Sequence, residues 1–324
     1  MLNRTLILVA LVAIAGCSSK DGGSPMAGGG GGGTGGGGGG GTGGGGGGGT
    51  GGGGGGGAGD VVTLTTQSFT VPAGGEVFMC QDFANPFGGV DTEVQQIDSD
   101  MTPGSHHMLL FFQSNAANTN VASCQPLQFQ TMLYGAQAPH ATLPYPTGVA
   151  ALIKGTQGFH MQMHYLNATQ TALTAQVTIH FRKATAGSVT QHAGVFFFNN
   201  ATGIQVHGGT TADVTASCTF ARDVNVIYAT AHTHRFTNSF SAQAGGSSIY
   251  TTTSWDNSPL QGYAPPLTVK AGTPVSWTCN ITNPSSDPNN VLTFGESANS
   301  NDMCIFDGQY YPADDANPTV QCMK

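Results

Sequence analysis

The 324-residue chain is poor in charged residues: Lys and Arg together number nine, and charged residues make up 8% of the sequence. Nucleic-acid-binding surfaces need clustered Lys and Arg to displace counterions from phosphates, so a net charge of −8 excludes that class of function. No stretch reaches the length of about 18 consecutive apolar residues that a membrane-spanning helix requires. No segment carries the apolar repeat of an amphipathic helix either, which leaves a β-rich chain as the expectation.

Histidine, by contrast, is abundant. The chain has ten His residues, more than Lys and Arg together. Neutral imidazole is the commonest metal ligand among protein side chains, so a metal site is the first functional hypothesis.

Residues 1–17 predict a signal peptide. Arg4 precedes a short apolar run over residues 6–15, which is too short to span a bilayer as a stable helix. The run ends in Ile-Ala-Gly-Cys17, which resembles the bacterial lipobox, where the Cys is lipidated; a plain secretory signal with an incidental Cys is the alternative. Because Ser18 rather than Asp follows Cys17, the same resemblance implies the outer membrane. We therefore expect an exported protein with a lipid anchor, in an oxidising compartment.

Residues 18–59 predict a flexible tether, since more than half of the 51 glycines lie between residues 28 and 59. The folded part is then expected over 60–324, enough for one large domain or two of ordinary size. A polar, small-residue stretch near residue 187 is the best candidate boundary. It divides the folded part into an N-terminal domain over 60–187 and a C-terminal domain over 188–324.

Eight short segments are rich in Val, Ile, Phe, Tyr and Thr and are bounded by Gly, Pro, Asn and Asp. They cover residues 61–70, 107–113, 159–165, 175–182, 194–198, 225–233, 248–253 and 275–282. This pattern predicts an all-β chain in which each half forms an antiparallel β-sandwich.

Six cysteines remain once Cys17 is set aside. An even number in an exported chain favours three disulfides over thiolate ligands, and no pair has the C-x-x-C spacing of a zinc or redox site. Spacing alone leaves all fifteen possible pairings open.

Three groups of histidines are the candidate metal ligands. His106 and His107 are adjacent, so both can reach one metal only at an irregular strand start, for which the preceding Pro-Gly pair is suited. His160, Gln162 and His164 share one face of a strand, and His232 and His234 share a face of another. A single such group is often without function, but three in a weakly charged chain predict a metal site. Imidazoles with a thioether in reach favour copper over zinc.

The same residues carry a family resemblance over 64–324. The segment His-His-Met-Leu-Leu-Phe (106–111), the strand Gln-x-His-Tyr (162–165), the His-Thr-His motif (232–234) and Asp-Met-Cys (302–304) occur in this order. Together they resemble the ascorbate-dependent type II copper monooxygenases, the family of peptidylglycine alpha-hydroxylating monooxygenase and dopamine beta-monooxygenase.

The resemblance implies two tandem jelly-roll-like β-sandwiches with a copper site in each, facing across a solvent cleft. One copper would bind His106, His107 and His164, and the other would bind His232, His234 and Met303. The implied reaction is hydroxylation of a C–H bond of a small organic substrate by dioxygen, with ascorbate or an equivalent reductant supplying electrons.

Further residues take roles under the same resemblance. Gln162 and His160 are expected to contact and orient ligands of the first copper. Thr230, Ile305 and Asp307 occupy the positions at which peptide-amidating members hold a substrate carboxylate with Arg, Asn and Tyr, so we expect a pocket that prefers neutral or cationic substrates. The implied disulfides are Cys80–Cys124, Cys218–Cys322 and Cys279–Cys304.

Two other functions stay open. A non-catalytic lipoprotein could use the same ligands to capture or sense copper, and a structural β-sandwich lipoprotein could carry the histidines by chance. Oxygen uptake that depends on copper and ascorbate distinguishes the enzyme from both of these alternatives. Copper binding distinguishes the copper-binding lipoprotein from the structural one.

Overall fold

A computed structural model describes residues 61–124 and 131–324. The predicted signal peptide, the lipidation site Cys17 and the glycine tether lie outside these residues, so export and lipid anchoring stay predictions. Within the described part we find no helix with the length and apolar character needed to cross a bilayer.

The described residues form β-strands joined by turns, which confirms the all-β prediction. In chain order the strands are β1 (Val61–Thr65), β2 (Phe69–Val71), β3 (Glu76–Phe83), β4 (Thr92–Met101), β5 (Ser105–Ser114), β6 (Ala122–Ser123), β7 (Met132–Ala136), β8 (His140–Pro144), β9 (Val149–Ile153), β10 (Gln157–Leu166), β11 (Leu173–Ala175), β12 (Val177–Lys183), β13 (Gln191–Asn199), β14 (Gln205–His207), β15 (Thr211–Cys218), β16 (Val224–Thr233), β17 (Thr237–Ala244), β18 (Ser247–Thr252), β19 (Gln261–Val269), β20 (Val275–Thr282), β21 (Val291–Thr293), β22 (Cys304–Tyr311) and β23 (Thr319–Met323).

Each of the eight predicted segments overlaps a strand of the structure. The segment 61–70 is divided between β1 and β2 because β1 pairs with β12, whereas β2 pairs with β11 in a separate small sheet. A pattern of residue types predicts extended backbone but carries no information on which partner each part of it finds.

Three larger sheets organise the strands. A ten-stranded sheet has the order β1-β12-β4-β9-β13-β22-β16-β19, with β8 paired to β4 and β23 paired to β13. A five-stranded sheet has the order β6-β3-β10-β5-β7, and a four-stranded sheet has the order β15-β20-β17-β18. Pairing is antiparallel except where β13 runs parallel to β9 and β23.

The predicted boundary near residue 187 lies in the connection between β12 and β13. The large sheet continues across this connection, because Gln191 to Ala193 of β13 pair with Val149 to Ala151 of β9. The division into two tandem domains therefore stays a prediction.

Apolar side chains collect in three clusters. One contains buried residues from 69–193 together with Ile227, and a second contains residues from the C-terminal half, including Phe196, Phe306 and Trp277. The third is small and joins the halves; it consists of Phe111, Met132, Val195, Phe197, Met303 and Ile305.

The three disulfides are those implied by the family resemblance: Cys80–Cys124, Cys218–Cys322 and Cys279–Cys304. The last two join the four-stranded sheet to the ten-stranded sheet, since Cys218 and Cys279 lie on β15 and β20 while Cys322 and Cys304 lie on β23 and β22. Six thiols are thereby removed as metal ligands.

Candidate metal centre

The adjacent histidines lie at a β-bulge in β5. His164 of β10 pairs with His107, but the next residue, Tyr165, pairs with Ser105, so His106 is the extra residue. A bulge re-aims side chains that would otherwise point to opposite faces. Both imidazoles are buried, and their ring centroids are 5.3 Å apart. The strand is therefore irregular at the point where two adjacent histidines need it to be if both are to reach one metal.

His164 is held from two sides. Its ring stacks on Phe78 with centroids 3.9 Å apart, and its Nε2 donates to Glu76 Oε1 at 2.8 Å. The Glu76 carboxylate also accepts from the Ala298 amide at 3.0 Å. Partial burial opposes its ionisation, but hydrogen bonds from His164, Ser297, Ala298 and Asn299 lower the pKa of Glu76 to about 2. The other ring nitrogen of His164, Nδ1, has no hydrogen-bond partner among the described residues.

The His-Thr-His pair is oriented by groups from other parts of the chain. His232, in β16, donates from Nδ1 to Gln137 Oε1 at 2.9 Å, and Gln137 Nε2 donates to the carbonyl of Ala231 at 2.7 Å. His234 follows the end of the strand and donates from Nδ1 to the carbonyl of Asn301 at 3.1 Å. Each ring therefore presents Nε2 as its free nitrogen.

The histidines form one cluster. Two sets of ring nitrogens each lie within 4.8 Å of one another: His106, His107 and His164 in the first group, and His106, His232 and His234 in the second. His106 belongs to both. The ring centroids of His106 and His232 are 4.8 Å apart, as are those of His107 and His232. This differs from the expected arrangement, in which the two groups face each other across a solvent cleft.

Each of the five rings has a buried nitrogen without a hydrogen-bond partner among the described residues. These atoms are His106 Nε2, both nitrogens of His107, His164 Nδ1, His232 Nε2 and His234 Nε2. Buried polar atoms are nearly always paired, so six unpartnered nitrogens on five neighbouring rings fit bound metal. The second nitrogens of three rings are fixed by hydrogen bonds, as is usual for metal-binding histidines.

The cluster is electrically neutral at physiological pH. Burial, followed by the neighbouring imidazoles, lowers the pKa values of His106, His107 and His232 well below the usual 6.5. Burial also lowers the pKa of His164, against the opposing effect of Glu76, and lowers that of His234 to about 4. Neutral imidazole is the form that binds metal, so no proton has to leave first.

We expect the ring signals of His106, His107 and His232 to show no titration near the usual histidine pKa of 6.5 in the metal-free protein, because burial lowers their pKa values well below it. A histidine with a lowered pKa stays neutral when folded and protonates when unfolded, so its contribution to stability is full above 6.5 and is lost as the pH falls. Two-dimensional NMR of ¹⁵N-labelled rings measures this directly. Titration of His106 or His232 near pH 6.5 would show that the cluster is open to water.

Met303, the predicted thioether ligand, is fully buried. The pairing of Thr233 with Cys304 and of His232 with Ile305 places Met303 next to His234 beyond the paired strand ends. The Met303 side chain contributes to the small apolar cluster that joins the halves. Its role as a ligand stays a prediction.

Of the two expected supporting residues, Gln162 is buried beside His107, and its side chain raises the pKa of that ring against the larger effect of burial. His160 donates from Nδ1 to Asp82 Oδ1 at 2.6 Å and belongs to neither histidine group. His160 lies four residues before His164 in β10, so strand alternation places the two on one face, but this separation carries the His160 ring to a contact of its own.

The predicted substrate residues line one cavity. Thr230, Ile305 and Asp307 border a space of about 340 Å³, which also reaches His107 and His232. The walls are mainly apolar, with Leu109, Met132, Phe197 and Leu260 among the lining residues. Burial raises the pKa of Asp307 to about 7.

Three further residues were not expected at the site: Glu76, Gln137 and Asp302. Asp302 accepts from the backbone amides of His234 at 2.9 Å and Met303 at 2.7 Å and from the Thr237 hydroxyl. Asp302 belongs to the Asp-Met-Cys motif of the sequence, which by itself indicates no hydrogen-bonding role for it. Gln137 belongs to no motif, and Glu76 contacts residues 297–299, more than 200 positions away, which no sequence pattern indicates.

Comparison with known proteins adds little. No family model matches the chain, and no curated protein matches its sequence. Among solved structures, the STIV MCP is similar at 8% identity with a TM-score of 0.36, over 78% of this chain and 97% of that one. The major capsid protein P2 from bacteriophage PM2 is similar at 7% identity with a TM-score of 0.31, over 77% and 97%. At this level the likeness says nothing about what the protein binds or does.

Proposed function

We propose that the chain is a copper-dependent monooxygenase that hydroxylates a C–H bond of a small organic substrate. The observation that carries the proposal is the cluster of five buried, neutral histidines with unpartnered nitrogens beside an apolar cavity. His106, His107 and His164 would hold one copper, and His232, His234 and Met303 the other. Bound copper would supply one-electron chemistry with dioxygen, and ascorbate or another small reductant would restore it.

The chemistry of the donor set favours copper. The ligands are imidazoles without a carboxylate among them, and every described cysteine is in a disulfide. A nearby thioether is a soft ligand that stabilises Cu(I), whereas zinc and magnesium sites more often include thiolate or carboxylate.

The chain's own residues would bind and orient the substrate. The cavity reaches both histidine groups through His107 and His232, so an apolar substrate in it would lie against either metal. Asp307, paired with Thr230 across two strands, is the acidic group on its wall. We propose that the cavity accepts neutral or cationic molecules and rejects a free carboxylate.

The full, disulfide-intact chain should bind two copper ions by elemental analysis and consume oxygen when ascorbate and a substrate are present. With heavy-isotope dioxygen, one labelled oxygen atom should enter the product. The substrates to compare are a glycine-extended peptide, its C-terminal ester and an aryl-alkyl amine, of which the free-carboxylate peptide should react least.

Three other results would each contradict a different part of this proposal. Two copper ions without oxygen uptake, over a broad metabolite screen, would favour the copper-binding lipoprotein. A stoichiometric zinc that copper does not displace would overturn the copper assignment. Preference for the free-carboxylate peptide would contradict the role given to Asp307 and leave the reaction class intact.

A further inference from the structure

The Glu76 carboxylate joins two distant parts of the chain. Oε1 accepts from His164 Nε2 at 2.8 Å and from the Ala298 amide at 3.0 Å. Oε2 accepts from the Ser297 hydroxyl at 2.9 Å and from Asn299 Nδ2 at 3.0 Å. One donor is a ring of the first histidine group, and the other three belong to the segment that precedes Met303. Four donors converge on one carboxylate, whose side chain is 16% exposed.

The hydrogen bonds continue from this segment to the second histidine group. The Asn301 amide donates to the carbonyl of Ser297 at 2.9 Å, and the carbonyl of Asn301 accepts from His234 Nδ1 at 3.1 Å. A continuous path therefore runs from His164 through Glu76, Ser297 and Asn301 to His234. Asp302, the next residue, holds the backbone of His234 as well.

A reciprocal contact exists on the other side of the cluster. Gln137, which follows β7 in the N-terminal half, accepts from His232 in the C-terminal half. His232 is thus oriented by a residue of the opposite half, and Glu76, which orients His164, is itself held by residues of the opposite half. Hydrogen bonds of this kind select the free ring nitrogen and the direction in which it points.

We propose that Glu76 is a positioning residue that couples the two histidine groups, fixing His164 with Nδ1 toward the cluster and holding the 297–301 segment against His234. Loss of Glu76 then disturbs both groups, although it contacts only one imidazole. The part of this proposal that concerns metal binding rests on the proposed function. The part that concerns ring orientation in the metal-free protein is independent of it.

The first test uses the metal-free full chain. Long-range ¹H–¹⁵N NMR should show His164 protonated on Nε2 and His234 protonated on Nδ1. In Glu76→Ala, His164 should become a mixture of the two tautomers, and the signals of His234 should also move. In Glu76→Gln the effect should be smaller, because the amide oxygen can still accept from His164 and Ala298 while the amide nitrogen loses the contact with Asn299.

Asp82→Asn is the matched control, because Asp82 binds His160 in the same five-stranded sheet through the same kind of carboxylate–imidazole contact. It should leave His164 and His234 unchanged. Near-UV circular dichroism of each variant verifies that the fold is intact, and Glu76→Gln serves if Glu76→Ala does not fold.

The second test uses Cu(II) as the probe. Glu76→Ala should weaken Cu(II) binding about 10- to 100-fold at both groups, and Glu76→Gln should weaken it less. Unchanged His234 signals together with a loss confined to one copper would overturn the coupling and leave Glu76 as a partner of His164 alone. Absence of copper binding in the wild-type chain with the predicted tautomers intact would instead refute the proposed function.

Discussion

His106→Ala is expected to remove the copper of the first histidine group and to weaken copper binding at the second, because the His106 ring lies within the nitrogen set of both. His106 is the one imidazole that belongs to each set of closely spaced nitrogens, so its loss reduces both sets at once. Loss of a residue that merely orients a ligand typically weakens metal binding about 10- to 100-fold, which is the loss expected at the second group, and loss of a ligand should exceed that at the first. Elemental analysis after dialysis and titration with Cu(II) measure the effect.

Variants confined to one group provide the comparison. His107→Ala should spare the copper held by His232 and His234, and Met303→Ala should weaken Cu(I) binding at the second group alone. His140→Ala is the control, since His140 is an exposed histidine that contacts Asp100 and belongs to neither group. An unchanged affinity for the second copper in His106→Ala would show that the two groups bind independently.

Replacement of Cys218 and Cys322 by alanine should lower the free energy of unfolding by about 4–5 kcal/mol on the chain-entropy model. The two cysteines are 104 positions apart, so the bridge closes the longest of the three disulfide loops. It also joins β15 of the four-stranded sheet to β23, which pairs with β13. Denaturant unfolding of the full chain without reductant measures the change.

The Cys80–Cys124 pair is the matched disulfide, because it spans 44 positions and lies within the N-terminal half. Its removal should lower the free energy of unfolding by about 4 kcal/mol on the same model. Copper content should persist in both variants under conditions where they stay folded, since no cysteine is a ligand. If removal of Cys218–Cys322 lowered the free energy of unfolding by less than about 1 kcal/mol, native packing alone would hold β23 in place.

Local features of the site could be predicted from the sequence. Alternation along a strand places His232 beside His234, and adjacent histidines after Pro-Gly require an irregular strand start, which the bulge at His106 provides. The three disulfide pairs were predicted by resemblance to a family, since spacing left fifteen pairings open. Thr230, Ile305 and Asp307 were likewise identified by motif position, and they do line one cavity.

The sequence by itself determined an all-β chain, three histidine groups and an even set of cysteines, because strand periodicity and residue chemistry act over a few positions. Only the tertiary structure decided that His106 belongs to both groups and that Glu76 and Gln137 orient rings far away in the chain. The Gln137–His232 contact depends on how separate sheets pack, and the contacts of Glu76 depend on the pairing of β3 with β10 and on where the 297–301 segment lies. Distances between residues so far apart in the chain are set by the whole fold, and no local pattern encodes them.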